Sequence, residues 1–263
     1  VPYHLITGYF FPTDIAVMIF SAVGLIFLSM TYSFIVKKWF GKISVGVYLS
    51  GLIMLLAGCG IWYSAGRPMF YELAISAGFM CLTATAYLIF TSGIIDGGKP
   101  NLPRIFLSSL LMGLSVMCRP TLAVYAVCGF VFFIINAKKQ GKGGMLKYIC
   151  CAFLPVCCLG AFQMYYNYAR FDNPFEFGQA YQLTVADQRN YSLFSNISFL
   201  RIVNSFIAFF LRANSLTDAF PYVVFNGILI EFPIFIIGLG YFFFSENTRE
   251  SLRKKQLLSS KQK

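Results

Sequence analysis

Three stretches of the sequence carry residue types that could do chemistry. The first is Arg119-Pro120-Thr121, which interrupts an otherwise apolar run of 31 residues from Ile105 to Ile135. A guanidinium stays charged and presents a planar fork of donors, so it can hold two phosphate oxygens at once. The second is Arg67-Pro68-Met69-Phe70-Tyr71-Glu72, a short charged turn between two apolar runs. The third runs from Asn167 to Gly178, where aromatics alternate with Arg170, Asp172 and Glu176. Aromatic faces beside carboxylates suit a sugar, which offers both apolar C–H faces and hydroxyls. The same residues also suit an aromatic belt at a membrane interface, with the charges in water. Glu231, two residues before Pro233, stands inside a late apolar run as either a partner for Arg119 or a capping group.

The first stretch dictates how its helices must lie. A straight helix over Ile105–Ile135 would be about 46 Å long at ~1.5 Å per residue, against a hydrocarbon core of ~30 Å. It would hold Arg119 near mid-depth, where a cation costs roughly 2.5–3.5 kcal/mol on the insertion scale. Pro120 removes a helical N–H and disfavours helix at the residue before it. Two short helices meeting at Arg119-Pro120-Thr121 satisfy all three constraints and place the guanidinium at a buried apex.

With 58% hydrophobic and only 12% charged residues, the chain belongs with polytopic membrane proteins. A net charge of +11 would fit nucleic acid, but the distribution of the basic residues excludes it. Fifteen of the 21 Lys and Arg fall in four segments, 37–42, 96–104, 138–147 and 249–263, each beside an apolar run. That is the pattern of cytoplasmic loops under the positive-inside rule. All eight cysteines lie inside apolar runs, none in a C-x-x-C pair, and His4 is the only histidine. The sequence therefore indicates no metal, divalent or otherwise, and no disulfide framework; the cysteines read as small buried apolar residues.

In chain order the expectation is an all-α polytopic fold with about seven membrane crossings, the Arg119-Pro120 hairpin counting as two. Residues 1–263 form a single transmembrane domain, with the start of the chain outside. Its opening on Val1-Pro2-Tyr3-His4 reads as a fragment of a longer protein. Thr13-Asp14 caps a first span over Ile15–Val36 that stops at Lys37-Lys38, and spans follow at Val45–Ala65 and Leu73–Ile95. Only a hairpin returns Lys138, Lys139, Lys142 and Lys147 to the side of the earlier basic loops. A span over Leu146–Tyr166 is kinked at Pro155. An outer loop and interfacial helix occupy 167–221. The helix lies over Ile197–Arg212, where polar Ser198, Arg201, Asn204, Ser205 and Arg212 recur at helical spacing. A last span over Tyr222–Phe244 precedes a cytoplasmic basic tail, 245–263. Sequons at Asn190 and Asn196 fit an outer loop.

The Asn-Tyr-x-Arg-Phe-x-Asn-Pro-Phe-x-Phe-Gly run at 167–178 resembles the lumenal segment that follows a span in bacterial GT-C class membrane glycosyltransferases. Those include the protein mannosyltransferase and aminoarabinose transferase relatives. Gly113 to Thr121, Gly-Leu-x-x-x-x-Arg-Pro-Thr, is similar to their broken hairpin, Arg67 to Glu72 resembles a short lumenal turn, and Val1 to Gly8 looks like the lead into their second helix. The resemblance implies transfer of a sugar from a polyprenyl-phosphate carrier to an acceptor on the outer face of the bacterial cytoplasmic membrane. It places the catalytic acid in a first lumenal loop, upstream of Val1. It implies that Arg119 meets the lipid phosphate or its approach, with Arg170, Arg67, Glu72 and Glu176 as further binding or lining residues. Asp172 stands where the resemblance expects a small residue, often Gly, and Asn173 and Pro174 shape the loop.

Two other readings compete. A transporter or flippase would also use a broken hairpin with a buried charge, but it predicts ionisable residues in several spans, where only Arg119 and Glu231 qualify. A non-catalytic scaffold would leave the aromatic–acidic loop without a role. Membrane lipids are partners under every reading; the lipid-linked sugar donor and its acceptor are partners only under the first.

Overall fold

The computed structural model describes residues 2–95, 99–139, 142–178, 181, 198–213, 215–216, 223–224 and 227–231. Contacts divide the chain into two compact units, Val1–Phe177 and Gly178–Lys263.

The first unit is helical. A short helix α1 (Pro2–Thr7) precedes α2 (Thr13–Ile35), which continues as a π-helical turn through Val36–Phe40. The chain then forms α3 (Val45–Gly58), α4 (Ile61–Gly66), α5 (Phe70–Thr91), α6 (Leu102–Cys118), a 3₁₀ turn at Pro120–Leu122, α7 (Ala123–Ala137) and α8 (Lys142–Phe171). Among the described residues, four helical stretches are long and apolar enough to cross a membrane: Thr13–Phe40, Phe70–Thr91, Pro120–Ala137 and Gly144–Phe171. Large apolar side chains such as Ile26, Phe70, Val124 and Leu154 stand exposed on these helices, as lipid-facing residues do.

The ends of the helices follow local chemistry. Ser44 accepts from the Val47 N–H at 3.4 Å to start α3, and Asn101 accepts from the Arg104 N–H at 3.2 Å to start α6. Arg104 Nη1 donates to the Thr91 carbonyl, placing a cation at the C-terminal end of α5, where the helix dipole favours one. At the N-terminus of α2 the capping position is Pro12, which makes no side-chain cap, so the expected Thr13-Asp14 cap is not formed. Asp14 instead lies in the first turn, where its charge still suits the dipole. The expected stop at Lys37-Lys38 is also displaced, because both lysines lie within the π turn.

Other boundaries depart from expectation more. The apolar stretch Val45–Ala65 breaks at Cys59-Gly60, with Gly60 at φ +71°, and Trp62 Nε1 bridges the break by donating to the Leu56 carbonyl at 2.7 Å. Glu72 belongs to α5 and not to the preceding turn. α8 runs as one helix through Pro155. The cysteines are unpaired, but only Cys81 is buried; Cys128, Cys150, Cys157 and Cys158 are exposed on their helices.

Helix packing relies on small residues. A Cβ on Gly24 would stand 2.5 Å from Phe79 Cδ1, and one on Gly113 would stand 2.7 Å from Leu159 Cδ1. α5 thus beds on α2 along one side and on α6 along another, with α6 against α8. The pairs Gly24–Phe79, Phe27–Tyr87 and Trp39–Phe90 advance together, so α2 and α5 run parallel. Buried Ser76 and Thr83 donate to carbonyls of their own helix, which satisfies their hydroxyls without a partner helix. The main core joins Ile94, Ile105, Met112, Ala126, Phe133, Ala137, Tyr148 and Ala152.

In the second unit, α9 (Phe199–Leu211) begins on a Ser198 cap that accepts from the Arg201 N–H at 3.2 Å. A helix therefore forms where the amphipathic pattern predicted one. Ser215–Leu216 (β1) pairs antiparallel with Val223–Val224 (β2), and a short α10 covers Ile228–Glu231. Residues 223–224 are thus strand where a span from Tyr222 was expected. Residues 232–244 of that span, the sequons at Asn190 and Asn196, the side chain of Glu231 and the tail 245–263 lie outside the described residues.

Candidate functional site

Arg119 is the residue at which α6 stops. Its backbone is extended, φ −150° and ψ 116°, as Pro120 requires of the residue before it. Its N–H still reaches the Ser115 carbonyl at 3.0 Å, and its own carbonyl accepts from Leu122 at 3.0 Å, opening the 3₁₀ turn. α7 then lies back against α6: a Cβ on Gly129 would meet Met112 Sδ at 2.5 Å.

The half-buried guanidinium of Arg119 sits over the ring of Tyr71, 3.8 Å from its centroid. Such a contact is worth about 0.5–2 kcal/mol and does not itself use up the hydrogen-bond donors on the guanidinium's N–H edge. Among the described residues no hydrogen-bond acceptor and no carboxylate engages that edge. The cation is held in place by an aromatic face and remains open to an anion.

Glu72 follows Tyr71, but successive helical positions project about 100° apart, so its carboxylate does not share the Arg119 face. Phe79, two turns along on the Glu72 face, lies against Gly24 of α2. Glu72 is 7% exposed, and its Oε2 has no hydrogen-bond partner. Sequence reasoning left open that Glu72 faces water; it is buried. Arg67 is exposed and donates from Nη1 to Tyr63 Oη at 3.5 Å.

The loop after α8 is built by its polar residues. Asp172 adopts the left-handed backbone, φ +53°, and its N–H returns to the Tyr168 carbonyl at 2.9 Å, ending the helix. Asn173 Oδ1 accepts from the Phe175 N–H at 3.0 Å. Buried Asn167 donates to the Pro174 carbonyl at 3.2 Å and accepts from Gln163 at 2.8 Å. Arg170 is exposed, its guanidinium 4.7 Å from the Phe171 ring and 5.2 Å from that of Tyr166, whose hydroxyl it reaches at 3.3 Å. Glu176 is half-buried, its N–H on the Asn173 carbonyl.

A cavity of about 380 Å³ joins this loop to the chain break. Met117 and Ala123, on either side of Arg119 in sequence, line it together with Phe130, Leu159, Pro174 and Phe177. Sequence reasoning missed this cavity, although Gly113 and Gly160 in its wall are a signal of space between helices. The site residues therefore fall into separate places. Arg119 stacks on Tyr71 near one end of the cavity, Arg170 sits in the last turn of α8 and Glu176 on the loop that follows, Glu72 faces α2, and Arg67 is on the surface.

Comparison with protein family models, with characterised proteins and with solved structures finds no match to this chain. Its composition and its four long apolar helices define an integral membrane protein of the helical class, in contact with membrane lipid.

Proposed function

We propose that the chain is part of a membrane glycosyltransferase that takes a sugar from a polyprenyl-phosphate carrier, on the outer face of a bacterial cytoplasmic membrane. The observation that carries this reading is the Arg119 guanidinium, fixed on Tyr71 with its N–H edge unengaged. A neighbouring apolar cavity supports it, because the ligand combines an anion with hydrocarbon. Arg119 holds the phosphate, where it also stabilises the leaving group, since charge develops there as the glycosidic bond breaks. Arg170 and Glu176 line the approach, and Arg67 and Glu72 have supporting roles at the same end of the bundle. In this reading α6 and α7 form a hairpin counted as two of seven crossings, with the start of the chain outside and its C-terminus in the cytoplasm.

The test is binding of a polyprenyl-phosphate sugar to the purified protein, wild type against two variants at position 119. Arg119→Ala should weaken binding at least tenfold, with only the small loss of melting temperature that the lost Tyr71 contact implies. Arg119→Lys should recover part of it, because an ammonium keeps the charge but not the two-point contact. Wild-type binding by the alanine variant would overturn the proposal.

A further inference from the structure

The opposite end of α2 and α5 carries a second groove, lined by Leu25, Ile26, Ser29, Met30, Ser33, Phe34 and Lys37 of the α2 helix and by Tyr87 of α5. Its volume is about 500 Å³. Positions 26, 30, 33 and 37 recur at helical spacing, so the groove runs along α2 and ends at Lys37. From Leu25 to Lys37 it extends about 18 Å at ~1.5 Å per residue. Half of a ~30 Å hydrocarbon core is about 15 Å, so the groove has the length of one leaflet.

The wall is effectively apolar despite its serines. Ser29 donates to the Leu25 carbonyl and Ser33 to the Ser29 carbonyl, both at 2.8 Å, while Ser33 Oγ lies 2.7 Å from Tyr48 Oη. The mouth is basic and marks the headgroup level. Lys37 is exposed there; the ammonium of Lys38 lies 5.0 Å from the Phe34 ring and 5.1 Å from the Trp39 ring. Trp39, half-exposed, packs edge-on against Phe90, in the manner of an interfacial aromatic anchor. The π-helical turn Val36–Phe40 carries Lys37 to this mouth, while the Lys38 ammonium is buried. Tyr71, which holds Arg119, lies almost the full length of α5 away from Phe90, so the groove is a separate place from the candidate site.

We propose that this groove binds an anionic glycerophospholipid, one acyl chain lying along Leu25–Phe34 and the phosphate on Lys37. The charge decides for an anionic headgroup over a zwitterionic one: Lys37 lines the mouth and Lys42 follows close by in sequence, with no acidic residue among positions 25–42.

Native mass spectrometry of the purified full chain tests this, titrating phosphatidylglycerol and phosphatidylcholine of identical acyl chains. Phosphatidylglycerol should bind more tightly. Lys37→Gln should weaken it about fivefold, the effect of one charge near an anionic headgroup, and weaken phosphatidylcholine less, because choline offsets the charge of its phosphate. Lys139→Gln, a basic residue on a different helix end, should change neither. Met30→Trp, which fills the groove, should weaken both lipids. Because Lys37 is exposed, Lys37→Gln keeps the test decisive even where the larger tryptophan disturbs packing. Equal binding of the two lipids by the wild type would overturn the proposal. So would a loss of phosphatidylglycerol in Lys139→Gln as large as in Lys37→Gln, because the attraction would then be net charge and not this groove.

Discussion

Asp172 takes a left-handed backbone, φ +53°, directly after α8 ends at Phe171. A side chain with a Cβ pays for that conformation; Asp pays less than most because its short polar group bonds locally. Replacing it with glycine removes the cost. Asp172→Gly should therefore raise stability by about 1 kcal/mol, while Asp172→Val should lower it by a similar amount or more. Thermal unfolding of the purified protein in detergent reads both. Under the proposed function the glycine variant should also retain donor binding, because the position acts on the backbone; lost binding would show that the carboxylate touches the ligand. Arg119 was legible in the sequence, because an arginine followed by proline inside an apolar run has few places to go. Its seat on Tyr71 was not legible, since 48 sequence positions separate the two and no local pattern encodes a contact of that range. The burial of Glu72 was hidden too: charge predicts exposure, and only the packing of α5 on α2 overrides it.

At the scale of elements, glycine is what lets the helices approach. A Cβ at Gly24 would meet not only the Phe79 ring but also the Met80 Cα at 3.3 Å, and backbone cannot turn aside as a side chain can. Gly24→Leu should push α2 from α5 and destabilise the protein by about 1–3 kcal/mol, the usual cost of overpacking. Gly46, in the first turn of α3, is the contrast, because nothing lies within 4 Å of its added Cβ. Gly46→Ala should be neutral or stabilising by up to about 1 kcal/mol through helix propensity. Parallel melting curves of the two variants check this, and equal destabilisation would show that the close approach at Gly24 does not set it apart from Gly46. The long apolar helices were legible because their composition leaves few alternatives. The break at Cys59-Gly60 was not, since glycine inside an apolar helix serves close packing as readily as a stop. The π turn at Val36–Phe40 was missed because charge was read as a terminus, whereas lysines near a membrane surface extend along the helix to water.

For the molecule as a whole, the path of the chain through the membrane turns on the break at Arg119. α6 has 17 residues and α7 has 15, so at ~1.5 Å each they span about 26 Å and 23 Å. Each is slightly short of a ~30 Å core, yet each is far too long for a simple surface turn. In the proposed hairpin the chain doubles back at the break, a reading supported by the core residues Ile105, Met112, Ala126 and Phe133 that α6 and α7 share and by Gly129 lying on Met112. Arg104 reaches the end of α5 at Thr91, and Lys138 and Lys139 follow α7. Doubling back therefore brings the start of α6 and the end of α7 to one side, with their basic residues together. Positions 99 and 139 should thus share one side of the membrane with position 38, and positions 71 and 173 should share the other. In the proposed orientation, which follows the positive-inside bias, the first side is the cytoplasm. Single cysteines at these five positions, in a background lacking the eight native ones, can be tested in intact cells with a membrane-impermeant maleimide. Labelling is expected at 71 and 173 alone, with 38, 99 and 139 reacting only after the membrane is opened. If 139 reacts in intact cells while 99 does not, the chain crosses once between them, α6 and α7 act as one broken span, and Arg119 loses its place at the end of the bundle that holds Tyr71.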